Sequence, residues 1–375
     1  MNYKINFINA SYRRYYQEHK KEIDKAIQDC YARGDFVLRK DLGIFERKFA
    51  KFCGVKYCVG VNSGTDALFL SLKALGVKEG DEVITVGHTF IASIQVIVQC
   101  GAKPILIDVG EDGLMDDYLI EKAITKKTVG IMPIHLSGKV CNMDEIKSIA
   151  HKHKLWVIED ACQAIGAKYK GKMAGSMGIT GCFSFICAKL LGGGGDGGGV
   201  VTDDRKIFER LLLLRNHWNI KQTSLLGVDI EQPEVMDWGW NSRLDNIHAA
   251  VLNVKMKYLQ KTLDRRKKIA MMYNCAFKNL PIELPIQQRD QVYQEYILRL
   301  QNVPEFKKHM DKWGIELLIR DITPNHKLKG LGLDHFSLPI TDQLAKESAR
   351  LPIYPELTQQ EVNYIIKAVK SFYEK

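Results

Sequence analysis

Three short segments of this 375-residue sequence carry polar side chains where they could do chemistry. The first is Asn62-Ser-Gly-Thr65, which follows an apolar run and opens a helical segment at Asp66. Free backbone N–H groups and the dipole at a helix N-terminus favour an anion, and a glycine allows that anion to approach closely. An ordinary helix cap would use the same residue types, so this segment alone leaves both readings open.

The second segment is Glu159-Asp160, at the end of the apolar run 155–158. A carboxylate at the end of a buried strand must be partnered or must serve a ligand. It could hold Mg²⁺ as a Walker-B acid does, but that requires a Gly-Lys-Ser/Thr phosphate loop, and the sequence contains none.

The third segment centres on Lys189, which follows the apolar run 183–186 and stands between Cys187-Ala188 and Leu190-Leu191. Burial favours the neutral amine, a nucleophile able to form a Schiff base, whereas a solvated surface lysine is the alternative. The glycine tract 192–199 that follows matches GxGxxG, but it precedes a strand and not a helix. A dinucleotide fingerprint is therefore rejected.

Together the three segments supply a phosphate cradle, a buried acid and a buried lysine. Pyridoxal phosphate requires this set: an anchor for its phosphate, an acid that keeps its ring nitrogen protonated, and a lysine that forms the Schiff base. The residues therefore predict a pyridoxal phosphate site.

The elements that must position these residues alternate between apolar strands and helices from residue 54 to about 202. This alternation predicts an α/β fold with a mostly parallel seven-stranded sheet sandwiched by helices, in which ligands collect at the carboxyl ends of the strands. The predicted strands are Tyr57–Val61, Glu82–Val86, Pro104–Val109, Val129–Ile134, Leu155–Glu159, Gly181–Phe185 and Gly199–Thr202. The predicted helices between them are Asp66–Leu75, Phe90–Cys100, Asp116–Ile124 and Met143–His153.

The pattern changes after Asp203. A helix over 203–216 and a polar stretch to about Trp238 lead to apolar residues spaced by three and four, which predict one long helix from Leu244 to about Lys278. Strands at 293–300 and 315–319 and a last helix at 358–372 follow, the helix with a capping box between Thr358 and Glu361. We expect an N-terminal arm plus large domain over residues 1–240, and the linking helix plus a smaller α+β domain over 241–375.

Composition excludes several classes of protein. The net charge of +10 suits anionic ligands, but it is spread thinly and forms no basic tail, which argues against a nucleic-acid binder. Nine cysteines without a CxxC pair fit neither a disulfide framework nor a zinc site. No signal-peptide pattern and no run of eighteen apolar residues is present, so we expect a cytoplasmic protein without membrane or metal partners.

The sequence resembles the DegT/StrS-type sugar aminotransferases of the aspartate-aminotransferase fold (fold type I). The resemblance covers nearly the whole chain and includes Lys189. Its ordered blocks are Asn62-Ser-Gly-Thr-Asp-Ala-Leu, Gly80-Asp-Glu-Val-Ile-Thr, His88-Thr-Phe-Ile-Ala, Glu159-Asp-Ala-Cys-Gln-Ala-Ile-Gly-Ala, Gly181-Cys-Phe-Ser-Phe, Gly195-Asp-Gly-Gly, Gly239-Trp-Asn-Ser-Arg and Leu351-Pro-Ile-Tyr-Pro-Glu-Leu.

The resemblance implies a role for each matching residue around the cofactor ring. Lys189 would be the Schiff-base lysine and would also shuttle the proton between Cα of the substrate and C4′ of the cofactor. Asp160 would pair with the pyridinium nitrogen, Gln163 would hydrogen-bond near the ring hydroxyl, and Phe90 would stack on the ring.

The resemblance also implies how the cofactor phosphate is held. Gly64, Thr65 and Ser184 would bind it from the same chain, and Asn241 would reach the phosphate in the neighbouring subunit, so the active unit would be a homodimer with shared sites. The family's substrates are nucleotide-linked ketosugars, with glutamate as the commonest amino donor.

Two segments depart from the family pattern. Arg39 stands where the family often has glycine, and the C-terminal signature retains only Pro324 and His326, with Arg320 in place of its first histidine. These segments would line the sugar-nucleotide side, so Arg39, Arg320 and His326 are the predicted substrate residues. Structural ion pairs are the alternative role for the two arginines.

Two other functions compete with transamination. Sugar dehydratases of the same family carry histidine in place of the lysine, and Lys189 argues directly against them. A regulatory or binding protein could keep the fold without turnover, but the presence of Lys189, Asp160 and Gln163 argues for catalysis.

Overall fold

A seven-stranded sheet organises the larger part of the molecule. The structure, a computed structural model, describes residues 3–7, 9–218, 237–320 and 322–374, so most of the predicted polar stretch before Trp238 lies outside the described residues. The described strands are β1 Tyr57–Val61, β2 Glu82–Val86, β3 Lys103–Ile107, β4 Thr128–Ile131, β5 Trp156–Asp160, β6 Lys168–Tyr169, β7 Lys172–Met173, β8 Thr180–Ser184, β9 Gly198–Thr202, β10 Tyr296–Arg299 and β11 Ser348–Leu351.

The order of strands in the large sheet is β1-β9-β8-β5-β4-β2-β3. The five strands from β8 to β3 run parallel, whereas β9 pairs antiparallel with both β8 and β1. The predicted mostly parallel sheet is therefore confirmed, and its apolar runs form strands because both faces are covered. The short β6–β7 hairpin and the β10–β11 pair form separate two-stranded sheets.

Helices cover the sheet and build the C-terminal part. They are α1 Asn9–Arg33, α2 Lys40–Cys53, α3 Gly64–Ala74, α4 Ala92–Gln99, α5 Ile120–Ala123, α6 Met143–His153, α7 Arg205–Leu214, α8 Asn246–Met256, α9 Leu259–Phe277, α10 Val303–Lys312, α11 Pro339–Glu347 and α12 Gln359–Tyr373. The capping box of α12 is confirmed, because Thr358 Oγ1 accepts from the Glu361 N–H and the Glu361 carboxylate accepts from the Thr358 N–H.

Two predicted elements are wrong in detail. The single helix over 244–278 is two helices, since the backbone at Tyr258 has φ −107° and ψ 0° and the Tyr258 ring packs on His19 with 4.0 Å between ring centroids. The predicted strand over 315–319 is not regular, because Ile315 bridges to Ile5 while Leu318 bridges to Arg350. Two different partners on a five-residue segment leave no continuous ladder.

Two apolar cores hold the chain together. The larger contains both faces of the sheet and extends through α8 to Leu263. The smaller joins the second half of α9 to α10, α12 and the β10–β11 pair, and it also takes in Ile5 from the N-terminal segment. A domain boundary at residue 240 remains a prediction. Within the described ranges, no helix has the length and apolar character needed to cross a bilayer.

Candidate active site

The N-terminus of α3 presents free backbone donors at the carboxyl end of β1. Ser63 is the N-cap: its Oγ accepts from the Asp66 N–H at 3.0 Å, and its carbonyl accepts the first helical bond, from the Ala67 N–H at 3.0 Å. The N–H groups of Gly64 and Thr65 precede that first bond, so they are available to an anion.

Gly64 is required here because the end of β8 packs directly against it. A Cβ added at residue 64 would lie 2.7 Å from Ser184 Cβ and 3.0 Å from Cys162 Sγ. The Ser184 side chain is buried, and its hydroxyl accepts from the Ile186 N–H at 3.4 Å. The predicted phosphate residues Gly64, Thr65 and Ser184 are therefore brought together in one cradle that a larger residue would fill.

Asp160 is a buried carboxylate at the end of β5. Its Oδ2 accepts from Ser93 Oγ at 2.8 Å and its Oδ1 accepts from the Cys162 N–H at 3.1 Å. Neither partner is charged, and no lysine, arginine or histidine of the described chain forms an ion pair with it. A buried anion of this kind needs a cation, which a protonated ring nitrogen would supply.

The neighbouring acid, Glu159, has a structural role. Its carboxylate accepts from the N–H groups of Gly175, Met177 and Gly178, and it lies 2.8 Å from His135 Nε2. The Cys141 N–H donates to Nδ1 of this histidine, so Nε2 carries the proton and donates to Glu159. The sequence pattern did not separate the two acids, whereas the structure gives Glu159 several partners and Asp160 two neutral donors. A cofactor role for Asp160 remains a prediction.

Lys189 lies half-buried in the turn after β8, where its N–H donates to the Ile186 carbonyl at 2.9 Å. Gln294 holds the backbone on both sides of it. The Leu190 N–H donates to Gln294 Oε1 at 3.1 Å, and Gln294 Nε2 donates to the Ala188 carbonyl at 3.0 Å. Sequence reasoning missed Gln294, since it belongs to no motif and is 105 residues from the lysine.

Gln163 is oriented by one strained residue. Its Oε1 accepts from the Ser137 N–H at 3.0 Å, which leaves Nε2 as the donor for a ligand. Ser137 has φ 58° and ψ 14°, a left-handed conformation that non-glycine residues seldom adopt. The strain places this N–H against Gln163 and is a feature typical of functional sites.

The remaining predicted cofactor residues are on the surface. The Phe90 side chain, which follows β2, is 64% exposed. Asn241 is also exposed, and it forms an isolated bridge with Asn216. An exposed side chain is available to a ring or to a second subunit, but both roles remain predictions.

A cavity lies beside Lys189, and Arg320 and Glu295 lie in its wall. Arg320 Nη1 lies 3.2 Å from Glu295 Oε1, and Arg350 Nε donates to Glu295 Oε2 at 2.8 Å. Burial alone would raise the pKa of Glu295, but Arg350, Arg320 and Lys189 outweigh it and lower that pKa. Of the three predicted substrate residues, Arg320 is thus brought to the lysine.

His326 and Arg39 do not line this cavity. His326 is 1% exposed, its Nε2 lies 3.2 Å from Asp342 Oδ1 without hydrogen-bond geometry, and burial lowers its pKa. Arg39 is exposed at the N-cap position of α2. A substrate role for either residue remains a prediction.

Comparison with known proteins identifies the family of this chain. Residues 17–370 match the model of the DegT/DnrJ/EryC1/StrS aminotransferase family. A curated relative from Aneurinibacillus thermoaerophilus, dTDP-3-amino-3,6-dideoxy-alpha-D-galactopyranose transaminase, is 38% identical over 94% of this chain and 96% of its own. The crystal structure of S. venezuelae DesV in complex with a ketimine intermediate superposes with a TM-score of 0.91, at 36% identity over 99% of both chains. A Bacillus subtilis structure, ntda with bound cofactor pmp, gives a TM-score of 0.88 at 27% identity over 96% of this chain and 82% of its own.

The matched structures show that the fold is that of the pyridoxal-phosphate-dependent aminotransferases. The chain belongs to the DegT/DnrJ/EryC1/StrS aminotransferase family. The residues present fit the cofactor. A glycine cradle at a helix N-terminus, a buried carboxylate without an ion-pair partner among the described residues, and a half-buried lysine lie at the ends of β1, β5 and β8.

Proposed function

We propose that this protein is a transaminase that moves an amino group from glutamate onto a nucleotide-linked ketosugar. The observation that carries this proposal is the buried Asp160 carboxylate, without an ion-pair partner in the described chain, together with Lys189 and the Gly64–Ser184 cradle. The name of the Aneurinibacillus relative, a dTDP-amino-sugar transaminase, supports a nucleotide-linked sugar as acceptor.

The chain's own residues have distinct tasks in this reaction. When bound, pyridoxal phosphate would supply the electron sink for the negative charge that develops at the donor's α-carbon. The Lys189 amine would take the proton from that carbon and return it at C4′, and it would do the reverse for the sugar. Asp160 would keep the ring nitrogen protonated, and the Gly64 and Thr65 N–H groups with the Ser184 hydroxyl would hold the phosphate.

Other predicted residues complete the site. Gln163 Nε2 would donate near the ring hydroxyl, and the exposed ring of Phe90 would cover one face of the cofactor. Arg320 would contact the substrate, because it shares a cavity with Lys189. Asn241 would reach the phosphate held by a second copy of the chain, which makes the proposed active unit a homodimer.

Absorbance spectroscopy tests the proposed function. The purified protein should be yellow, glutamate should convert the cofactor to its pyridoxamine form, and a panel of 3-keto and 4-keto nucleotide sugars should identify the acceptor that restores the original spectrum. A spectrum that no amino acid changes would instead identify a protein that binds the cofactor without turnover.

A further inference from the structure

The cavity beside Lys189 has an excess of positive charge. Its lining contains four cationic side chains and two carboxylates, and the charged residues are Lys189, Lys255, Arg266, Arg320, Glu295 and Glu356. Burial raises the pKa of Glu356. The cavity therefore favours an anionic ligand.

Two of these cations already have partners. Arg320 lies against Glu295, as described above. Lys255 donates to the Gly192 carbonyl, and its ammonium lies 4.7 Å from the centroid of the Tyr15 ring. Lys189 is committed to the cofactor. The remaining cation of the lining is Arg266.

Arg266 is a buried guanidinium without a carboxylate partner in the described chain. The residue is 9% exposed, and Nη1 donates to the backbone carbonyls of Tyr293 at 3.0 Å and Gln294 at 3.3 Å. Nε is buried with no hydrogen-bond partner among residues 3–7, 9–218, 237–320 and 322–374. Burial lowers the pKa of Arg266 to about 10, so its charge is poorly compensated before a ligand binds.

A donor carboxylate is the anion that this position suits. The α-carboxylate is bonded to the carbon from which Lys189 removes the proton, so its site must border Lys189. The phosphates of a sugar nucleotide are several bonds from the keto carbon. Arginine offers forked N–H donors that match the two carboxylate oxygens.

We propose that Arg266 binds the α-carboxylate of the amino-acid donor. The inference rests on the proposed function, since it names the donor's contact in that reaction. The Tyr12 phenol, whose pKa is raised by burial, also lines this cavity.

The test compares two donors that differ only in the α-carboxylate, L-glutamate and 4-aminobutyrate. In Arg266→Met, kcat/KM for glutamate in the donor half-reaction should fall about ten- to a hundredfold, the usual effect of losing a charge-assisted contact. The value for 4-aminobutyrate should stay within threefold of wild type. The keto products, 2-oxoglutarate and succinic semialdehyde, give the same contrast in the reverse direction.

Arg265→Met is the matched control. Arg265 is the preceding residue of α9, and its Nη2 donates to the Leu357 carbonyl at 2.6 Å, but it does not line this cavity. Its substitution should leave the preference for glutamate unchanged. Should Arg266→Met fail to fold, Arg266→Lys keeps the charge and lacks the forked donors. Its preference for glutamate over 4-aminobutyrate should fall at least fivefold.

Three results would overturn the inference. The first is an equal fall in kcat/KM for glutamate and 4-aminobutyrate, and the second is an unchanged preference for glutamate in the folded variants. The third is a fall in kcat/KM confined to the ketosugar half-reaction. The last result would assign Arg266 to the sugar-nucleotide phosphates. Failure of the proposed function is distinguishable, because the wild-type protein itself would then not react with glutamate.

Discussion

Gln294 offers a direct test of how the fold positions the reactive lysine. Its side-chain amide makes one hydrogen bond to each residue that flanks Lys189, at 3.1 Å and 3.0 Å. Gln294→Ala removes both bonds without changing Lys189 or any residue of the cofactor cradle. The reactive amine would then sample positions away from the α-carbon.

The size of the effect follows from the two bonds. Each bond contributes about 1 kcal/mol net, so the variant loses about 2 kcal/mol of the free energy that holds the Lys189 backbone in position. Because about 1.4 kcal/mol corresponds to a tenfold change in rate, kcat should fall about ten- to thirtyfold. The loss should be the same in both half-reactions, since Lys189 moves the proton in each, and KM should change little.

Gln288→Ala is a closely matched control. Gln288 is also half-buried, and its amide also makes two backbone bonds, accepting from the Val140 N–H at 2.9 Å and donating to the Val140 carbonyl at 3.0 Å. Stopped-flow absorbance of each half-reaction, with urea unfolding of both variants, separates positioning from stability. A kcat within twofold of wild type in Gln294→Ala, or an equal loss in Gln288→Ala, would refute this role.

Three further predictions concern the cradle, the assembly and the charge cluster. Gly64→Ala should weaken cofactor binding at least tenfold by equilibrium dialysis, because its Cβ meets buried atoms within 3.0 Å, while Gly194→Ala, with open space around its Cβ, should bind normally. Mixing Lys189→Ala and Asn241→Ala chains should restore activity, since one site of the mixed dimer is then intact; no recovery after verified subunit exchange would exclude a shared site. Glu295→Gln should lower the free energy of unfolding by about 3 kcal/mol at pH 7, because two arginines lose their carboxylate. The pKa of Glu295 is lowered in the folded state, so its contribution to stability is present above the unfolded pKa, about 4.3. The difference in unfolding free energy between Glu295→Gln and wild type should therefore shrink as the pH falls below that value. A difference that does not change with pH would contradict this assignment.

The sheet, and the position of the candidate cofactor residues at its edge, were predictable from sequence. Apolar runs bounded by turn residues give strong local signals, and β1 and β2 have the bounds that their sequences predict. The same reasoning places Gly64 and Asp160 together, because parallel strands have their carboxyl ends along one edge of the sheet. Ser184 was implied only by the family resemblance.

Contacts between distant segments were not predictable. At the helix break, Tyr258 packs against His19, and the irregular segment near Ile315 bridges to Ile5 and, through Leu318, to Arg350. Hydrophobic periodicity describes one segment of the sequence at a time, so it does not show which distant segment will contact it.

The same limit applies to the site. The two bonds from Gln294 join it to residues more than 100 positions away, and Arg266 Nε has no hydrogen-bond partner among the described residues. The residue type does not indicate such a role, because glutamine and arginine residues near apolar runs are common on protein surfaces.

The central claim is that Lys189 is the lysine that holds pyridoxal phosphate in a working transaminase. Borohydride reduction of the purified protein, followed by peptide mapping in a mass spectrometer, tests it before and after incubation with glutamate. Before glutamate the pyridoxyl group should be found on Lys189, and after glutamate Lys189 should be unmodified. An adduct on another lysine, or one on Lys189 that no amino donor removes, would contradict the claim.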